Sequence, residues 1–275
     1  MKHATFLCWL EFKETIRAKW YQFYMISAAA LISLFFYLGL MESRVLGFIG
    51  LGRLLLTLIQ LCIIILPIFT LITTVRTFVS DRESGVWEYN LSVPIELSAF
   101  YWGRGLGRYL SLYLPLFAGI LACAFITLSR GYPVPWKVTL LYLLFIGANL
   151  LCFTGMALCL SVYAKTQEMA LGLAFVLWMF FEALIDALLL GLMLKQRLMA
   201  EAILSVAFLN PLQSFRMAAI ALFDPELTIL GPISYTIIEK IGLNNLILWA
   251  VIWPVLLGIL FAYIGFRRFK NHDLI

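Results

Sequence analysis

Charge is what this sequence has least of. Only 13% of its 275 residues are Asp, Glu, Lys or Arg, against roughly 25% in a soluble domain, and that excludes an ordinary globular protein in water. Histidine is scarcer still: His3 and His272 stand at opposite ends. A His/Cys metal site, a Ser–His–Asp arrangement and an HExxH helix are therefore not supported. No G-x-x-x-x-G-K-[ST] phosphate loop occurs, so the chain is not expected to bind ATP in the P-loop manner. The five cysteines, Cys8, Cys62, Cys123, Cys152 and Cys159, include no C-x-x-C pair and read as small buried apolar side chains. No cleavable signal peptide is expected, because about twenty polar or amphipathic residues precede the first apolar run.

What is present is hydrocarbon. The chain is 63% hydrophobic with a mean hydropathy of +0.98. This predicts an all-α, polytopic protein integral to a membrane, folded as one domain over residues 1–275. Six apolar runs are long enough to cross a bilayer, which takes about 20 helical residues at 1.5 Å each. They lie between Lys19 and Glu42, between Arg53 and Arg76, from Tyr109 to Ser129, between Lys137 and Lys165, from Met169 to Leu194, and between Lys240 and Arg267. Pro67, Pro115 and Pro254 fall inside runs and are expected to bend their helices, with neighbours satisfying the freed carbonyls. Residues 1–20 read as an amphipathic helix lying along the membrane surface, with Phe6, Leu7, Leu10, Phe12 and Ile16 beside Glu11, Lys13, Glu14 and Arg17. The net charge of +5 does not point to nucleic acid, because the basic residues sit at the ends of apolar runs. Twelve of the twenty Lys and Arg fall on the side of both termini, which predicts cytoplasmic termini.

Three stretches carry candidate function. Residues 80–107, between the second and third runs, hold Asp81, Arg82, Glu83, Trp87, Glu88, Phe100, Tyr101 and Trp102, with Pro94 near the middle. Pro94 disfavours one continuous helix, so two short helices are predicted, over 83–91 and 98–106, on the cytoplasmic face. The external segment 195–245 is predicted to hold two short helices, over 203–209 and 215–223, lying at or dipping into the outer boundary. Asn210-Pro211 breaks between them, and Ser214 is the expected N-cap. In the fifth run Glu182 and Asp186 share a helix face. Three readings stand: a polar pathway for a cation or polar substrate, pairing with Lys195, Arg197 or Arg216, or a span that ends before them. Cys152, Met156 and Cys159 also share a face and read as a core stripe. Gly147, Ala148, Gly155, Gly172, Ala174, Gly258, Ala262 and Gly265 suit close helix–helix approach.

Six helices, an amphipathic N-terminal helix, Glu83-Ser84-Gly85, Pro94 and then Gly103-Arg104 resemble the ABC-2 class of ATP-binding-cassette transporter permeases. The stretch from Asp186 through Gly191-Leu192, and Asn210-Pro211 with Phe215-Arg216, are similar to the NosY permease branch, which serves nitrous oxide reductase maturation. The resemblance implies a coupling helix that docks a separate NosF-like ATPase, with Arg82, Glu83, Gly85, Trp87, Glu88 and Pro94 in it. ATP and Mg would be bound by that ATPase, and this chain would hold no cofactor and catalyse nothing. It implies a homodimer in the bacterial inner membrane. It also implies a periplasmic NosD-like partner met by Asn210, Pro211, Phe215 and Arg216, and a role in supplying sulfur or copper. An ABC-2 exporter of another substrate, or a secondary transporter using Glu182 and Asp186, are the alternatives.

Overall fold

A computed structural model describes residues 2–19, 21, 22, 24–26, 30, 48–85, 96–129, 131, 134, 136–194, 200–222 and 242–271. Its elements are helices, and no strand occurs among the described residues. They are α1 (Lys2–Arg17), α2 (Phe48–Glu83), α3 (Leu97–Ser129), α4 (Trp136–Tyr163), α5 (Gln167–Met179), a π-helical turn (Phe180–Leu184), α6 (Ile185–Leu194), α7 (Ala200–Leu209), α8 (Pro211–Ala221) and α9 (Leu243–Asn271). Five stretches are long and apolar enough to cross a membrane: Ile63–Glu83, Leu97–Ser129, Trp136–Tyr163, Gln167–Leu188 and Leu243–Asn271. The expected first span, between Lys19 and Glu42, lies largely outside the described residues.

α4 is the axis of the bundle, buried along most of its length. Its small residues let neighbours touch its backbone, which is how helices gain contact area in lipid, where tails are as apolar as side chains. Gly155 meets Gly258 of α9, and a Cβ on Gly155 would lie 2.0 Å from the Gly258 carbonyl oxygen. Farther along, a Cβ on Gly265 would lie 2.8 Å from the Cys159 Cα. Cys152, Met156 and Cys159 are buried on this packed face. Gly172 differs: among the described residues none would meet a Cβ placed on it.

Pro67, Pro115 and Pro254 all lie inside continuous helices. The two short helices foreseen between the second and third spans take another form. Glu83 ends a helix instead of starting one: α2 runs two turns beyond Arg76 and stops where Gly85 adopts φ +71. Glycine takes this left-handed conformation without the steric cost other residues meet, and commonly terminates helices there. Residues 98–106 form the first turns of α3, continuous with the third span, not a separate helix. Polar residues ended the apolar runs in the sequence, but a helix can extend out of hydrocarbon without a break. Trp87, Glu88 and Pro94 lie outside the described residues.

Candidate functional site

The first candidate site is the bundle end where α2 stops and α3 begins. α1 lies on α3 through two glycines one turn apart. A Cβ on Gly103 would meet the Ala4 carbonyl at 2.8 Å, and one on Gly107 the Cys8 carbonyl at 2.6 Å. That close approach brings Glu11 of α1, only 3% exposed, against two arginines of α3. Arg104 Nε donates to Glu11 Oε2 at 2.9 Å, and Arg108 pairs with Glu11 Oε1 at 2.6 Å. Arg104 also pairs with Asp81 at the end of α2. Two cations and two anions thus join three helices in a poorly hydrated place, where ions persist only when paired. The Arg104 guanidinium also sits over the rings of Phe78 and Phe100, 5.8 and 5.3 Å from their centroids. Beneath it Phe78 stacks on Tyr101 at 5.2 Å, and the Tyr101 hydroxyl donates to the Ala262 carbonyl of α9 at 2.9 Å. The face of α1 carrying Phe6, Trp9 and Leu10 is exposed, as suits a helix lying at a membrane boundary.

Arg82 and Glu83, the last two residues of α2, reach the connection between α4 and α5. Arg82 Nη1 donates to the Ala164 carbonyl at 3.0 Å, and Nη2 lies 3.5 Å from the Val162 carbonyl. Glu83 Oε1 accepts the backbone N–H of Gln167 at 2.9 Å. The final carbonyls of a helix and its first N–H groups lack partners in their own helix. They carry partial negative and positive charge respectively. A cation therefore caps the end of α4 and an anion the start of α5, from adjacent positions in the chain. Thr166 completes the start of α5 as its N-cap, accepting from the Met169 N–H at 3.2 Å.

The second candidate site surrounds the α7–α8 hairpin. The N-cap of α8 is Asn210, not Ser214: Asn210 Oδ1 accepts from the Leu212 N–H at 3.0 Å, while Ser214 Oγ donates to the Phe208 carbonyl. Proline at the first helical position left Asn210 as the residue with extended backbone and a free-reaching side chain. Asn210 Nδ2 donates to the Phe181 carbonyl at 2.7 Å, inside the π-helical turn, where the widened ring leaves backbone groups to be satisfied from outside. Of the two placements expected for α8, lying at the boundary or dipping into it, the structure has the inserted one. Nearly all of it is buried, with Phe215 against Tyr142 and Phe145 of α4, because its Met-Ala-Ala-Ile-Ala stretch is slim enough to insert between helices. Asn210, Pro211 and Phe215 are therefore inside the chain, and Arg216 is the one of the four with a side chain partly exposed, at 23%.

Asp186 pairs with Arg216, Nη1 to Oδ2 at 3.4 Å, and accepts from Gln213. Glu182, one turn earlier, lies within electrostatic reach of both Arg216 and Asp186. Of the readings open in the sequence, pairing with Arg216 is the arrangement present for Asp186. Lys195 and Arg197 lie outside the described residues. Trp249 and Trp253 of α9 stack and donate to the Phe208 and Leu209 carbonyls at 3.0 and 2.9 Å, holding the end of α7. Sequence reasoning missed Glu11, Arg108 and this tryptophan pair. The signals were there in the Gly103-x-x-x-Gly107 spacing and in two tryptophans four residues apart.

The protein comparisons agree with this architecture. Residues 6–274 match the family model described as "ABC-2 family transporter protein". The chain is 27% identical over 220 residues to the "Probable ABC transporter permease protein NosY" of Pseudomonas aeruginosa, an alignment spanning 78% of this chain and 80% of that protein. A multi-pass helical bundle matched almost end to end in this way belongs to the ABC-2 family of transporter proteins.

Proposed function

We propose that the chain is the six-span permease subunit of an ATP-driven transporter in the bacterial inner membrane, with both termini in the cytoplasm and two copies per assembly. A separate NosF-like ATPase binds ATP and Mg and pushes on residues 80–107. Arg82, Glu83, Gly85, Trp87, Glu88 and Pro94 form or support its docking ridge. At the outer end, Arg216 meets a NosD-like periplasmic partner, with Asn210, Pro211 and Phe215 setting its position from within. The cargo is sulfur or copper for nitrous oxide reductase maturation, the reading favoured by similarity to the NosY protein.

The observation that carries the proposal is the double cap made by Arg82 and Glu83. Any force on the segment leaving α2 is passed to the end of α4 and the start of α5 together. The linkage suits a device that converts movement of a docked protein into helix tilt. The Asp186–Arg216 pair argues against Asp186 as the cation site of the secondary-transporter alternative, because a carboxylate already paired with a cation is a poor carrier of another.

The test is to co-express the chain with its cognate ATPase and compare wild type with Glu83→Arg. Glu83 is exposed, so the variant is expected to fold, which its melting temperature checks. Loss of ATPase co-purification, or hydrolysis that no longer responds to the permease, is the expected result. An ATPase that binds and hydrolyses unchanged would count against the docking role.

A further inference from the structure

Asn149 sits at the middle of α4, about 20 Å from either end at 1.5 Å per residue. It is only 7% exposed, and neither its Nδ2 nor its Oδ1 has a hydrogen-bond partner among the described residues. An unpaired amide in the hydrocarbon layer is heavily disfavoured, since no bulk water is there to satisfy it. The side chain borders a cavity of about 10 Å³ whose wall also includes Ile63, Pro67, Phe153, Leu212 and Phe215. A volume of that order suits one water molecule and nothing larger. Pro67 has no N–H, so the Ile63 carbonyl, four residues earlier in α2, receives no bond from the usual position in its own helix. The orphaned Asn149 amide and Ile63, the residue whose carbonyl is short of a helix donor, thus line the same small cavity. Among the described residues no acidic side chain borders it, so the chemistry is that of a neutral guest, not a cation.

We propose that this cavity is a binding site for a single ordered water that bridges the Asn149 carboxamide to the Ile63 carbonyl. The water accepts from Asn149 Nδ2, donates one hydrogen to Oδ1 of the same amide, and donates the other to Ile63. Three hydrogen bonds are typical of a buried water. The water replaces the helix bond that Pro67 removes. It sits where α2, α4 and the buried α8 helix meet, with Leu212 and Phe215 among its walls. Asn149 is thereby a positioning residue for α2 at Pro67.

The direct test is cryo-electron microscopy of the full-length chain in lipid nanodiscs, with any subunits that co-purify, at a resolution that shows ordered water. One peak within hydrogen-bond distance of the Asn149 amide and the Ile63 carbonyl is expected. A dry cavity, or an Asn149 amide turned onto a protein group, overturns the proposal. A double-mutant cycle gives a second readout. Asn149→Leu should lower the melting temperature in the wild-type background, because it strands the Ile63 carbonyl. Pro67→Ala gives that carbonyl an N–H, so Asn149→Leu should then cost nothing or raise the melting temperature. Equal shifts in both backgrounds, or a rise in both, would refute the bridge.

Discussion

Gly155 of α4 and Gly258 of α9 touch backbone to backbone, so closely that a Cβ on the first would lie 2.0 Å from the carbonyl oxygen of the second. No rotamer relieves such a contact, because the obstacle is main chain on both sides. Gly155→Ala is expected to force the helices apart and destabilise the bundle by about 1–3 kcal/mol or more, the usual cost of overpacking. Gly172→Ala is the control. No described residue would meet a Cβ there, and alanine favours the helix by up to about 1 kcal/mol. Melting curves in detergent should separate the two variants clearly; equal behaviour would mean that α4 and α9 are not in this contact.

Glu11 holds two arginines in a buried place, and removing its charge takes an anion from both, Arg104 keeping Asp81. Glu11→Gln is expected to cost about 3–5 kcal/mol, the penalty for breaking a buried ion pair from one side. α1 should then loosen from α3. Thermal denaturation of the variant, with Arg104→Ala beside it, checks both ends of the pair.

Cys8 reports the same event chemically. Burial, reinforced by the Glu11 carboxylate, pushes its thiol above the ordinary value. The thiolate is the reactive form, so wild-type Cys8 should alkylate slowly at neutral pH and speed up only in alkaline solution. Glu11→Gln removes the neighbouring charge and loosens the cover, so both effects shift the rate profile to lower pH. Peptide mapping after timed alkylation measures this; an unchanged profile would contradict the contact between α1 and α3.

Asn210 performs two tasks that two substitutions separate. Asn210→Asp keeps the cap of α8, worth about 0.5–2 kcal/mol, but cannot donate to the Phe181 carbonyl. Asn210→Ala loses both, and the stranded carbonyl adds about 1–3 kcal/mol. Hydrogen exchange over residues 180–184 should rise in both variants, and exchange at the start of α8 only in the alanine variant.

Arg82→Ala should release the end of α4 at a cost of about 1 kcal/mol, the scale of a partly exposed charge at a helix terminus. Glu83→Gln should cost less, because the side chain is exposed and the neutral amide still accepts a hydrogen bond. Exchange over residues 162–170 is the measurement, and protection that survives both changes would show that the α4–α5 turn needs no cap from α2.

Most of the bundle was legible because its signals are local. Apolar runs located the described spans, and Asn210-Pro211 marked the break between α7 and α8. What could not be read was partnership across the fold. Glu11 looks like any wet-face acid until Gly103 and Gly107 bring α1 onto α3. The π-helical turn at Phe180–Leu184 carries no glycine or proline to announce it, and its partner, Asn210, is 29 residues away. The burial of α8 was hidden for a related reason. A short apolar helix beside a turn has the same pattern whether it lies on a surface or is inserted into one, and the decision rests with the residues around it.

The placement of Pro67 within α2 has a mechanical consequence. Sixteen residues separate it from Glu83 and nineteen from Phe48, so the helix has arms of about 24 and about 28 Å at 1.5 Å per residue. Were α2 to act as a lever pivoted there, its mechanical advantage would be close to one. If the Arg82–Glu83 end is pushed as proposed and α2 pivots there, the stroke would emerge at the opposite end with similar amplitude and reversed direction.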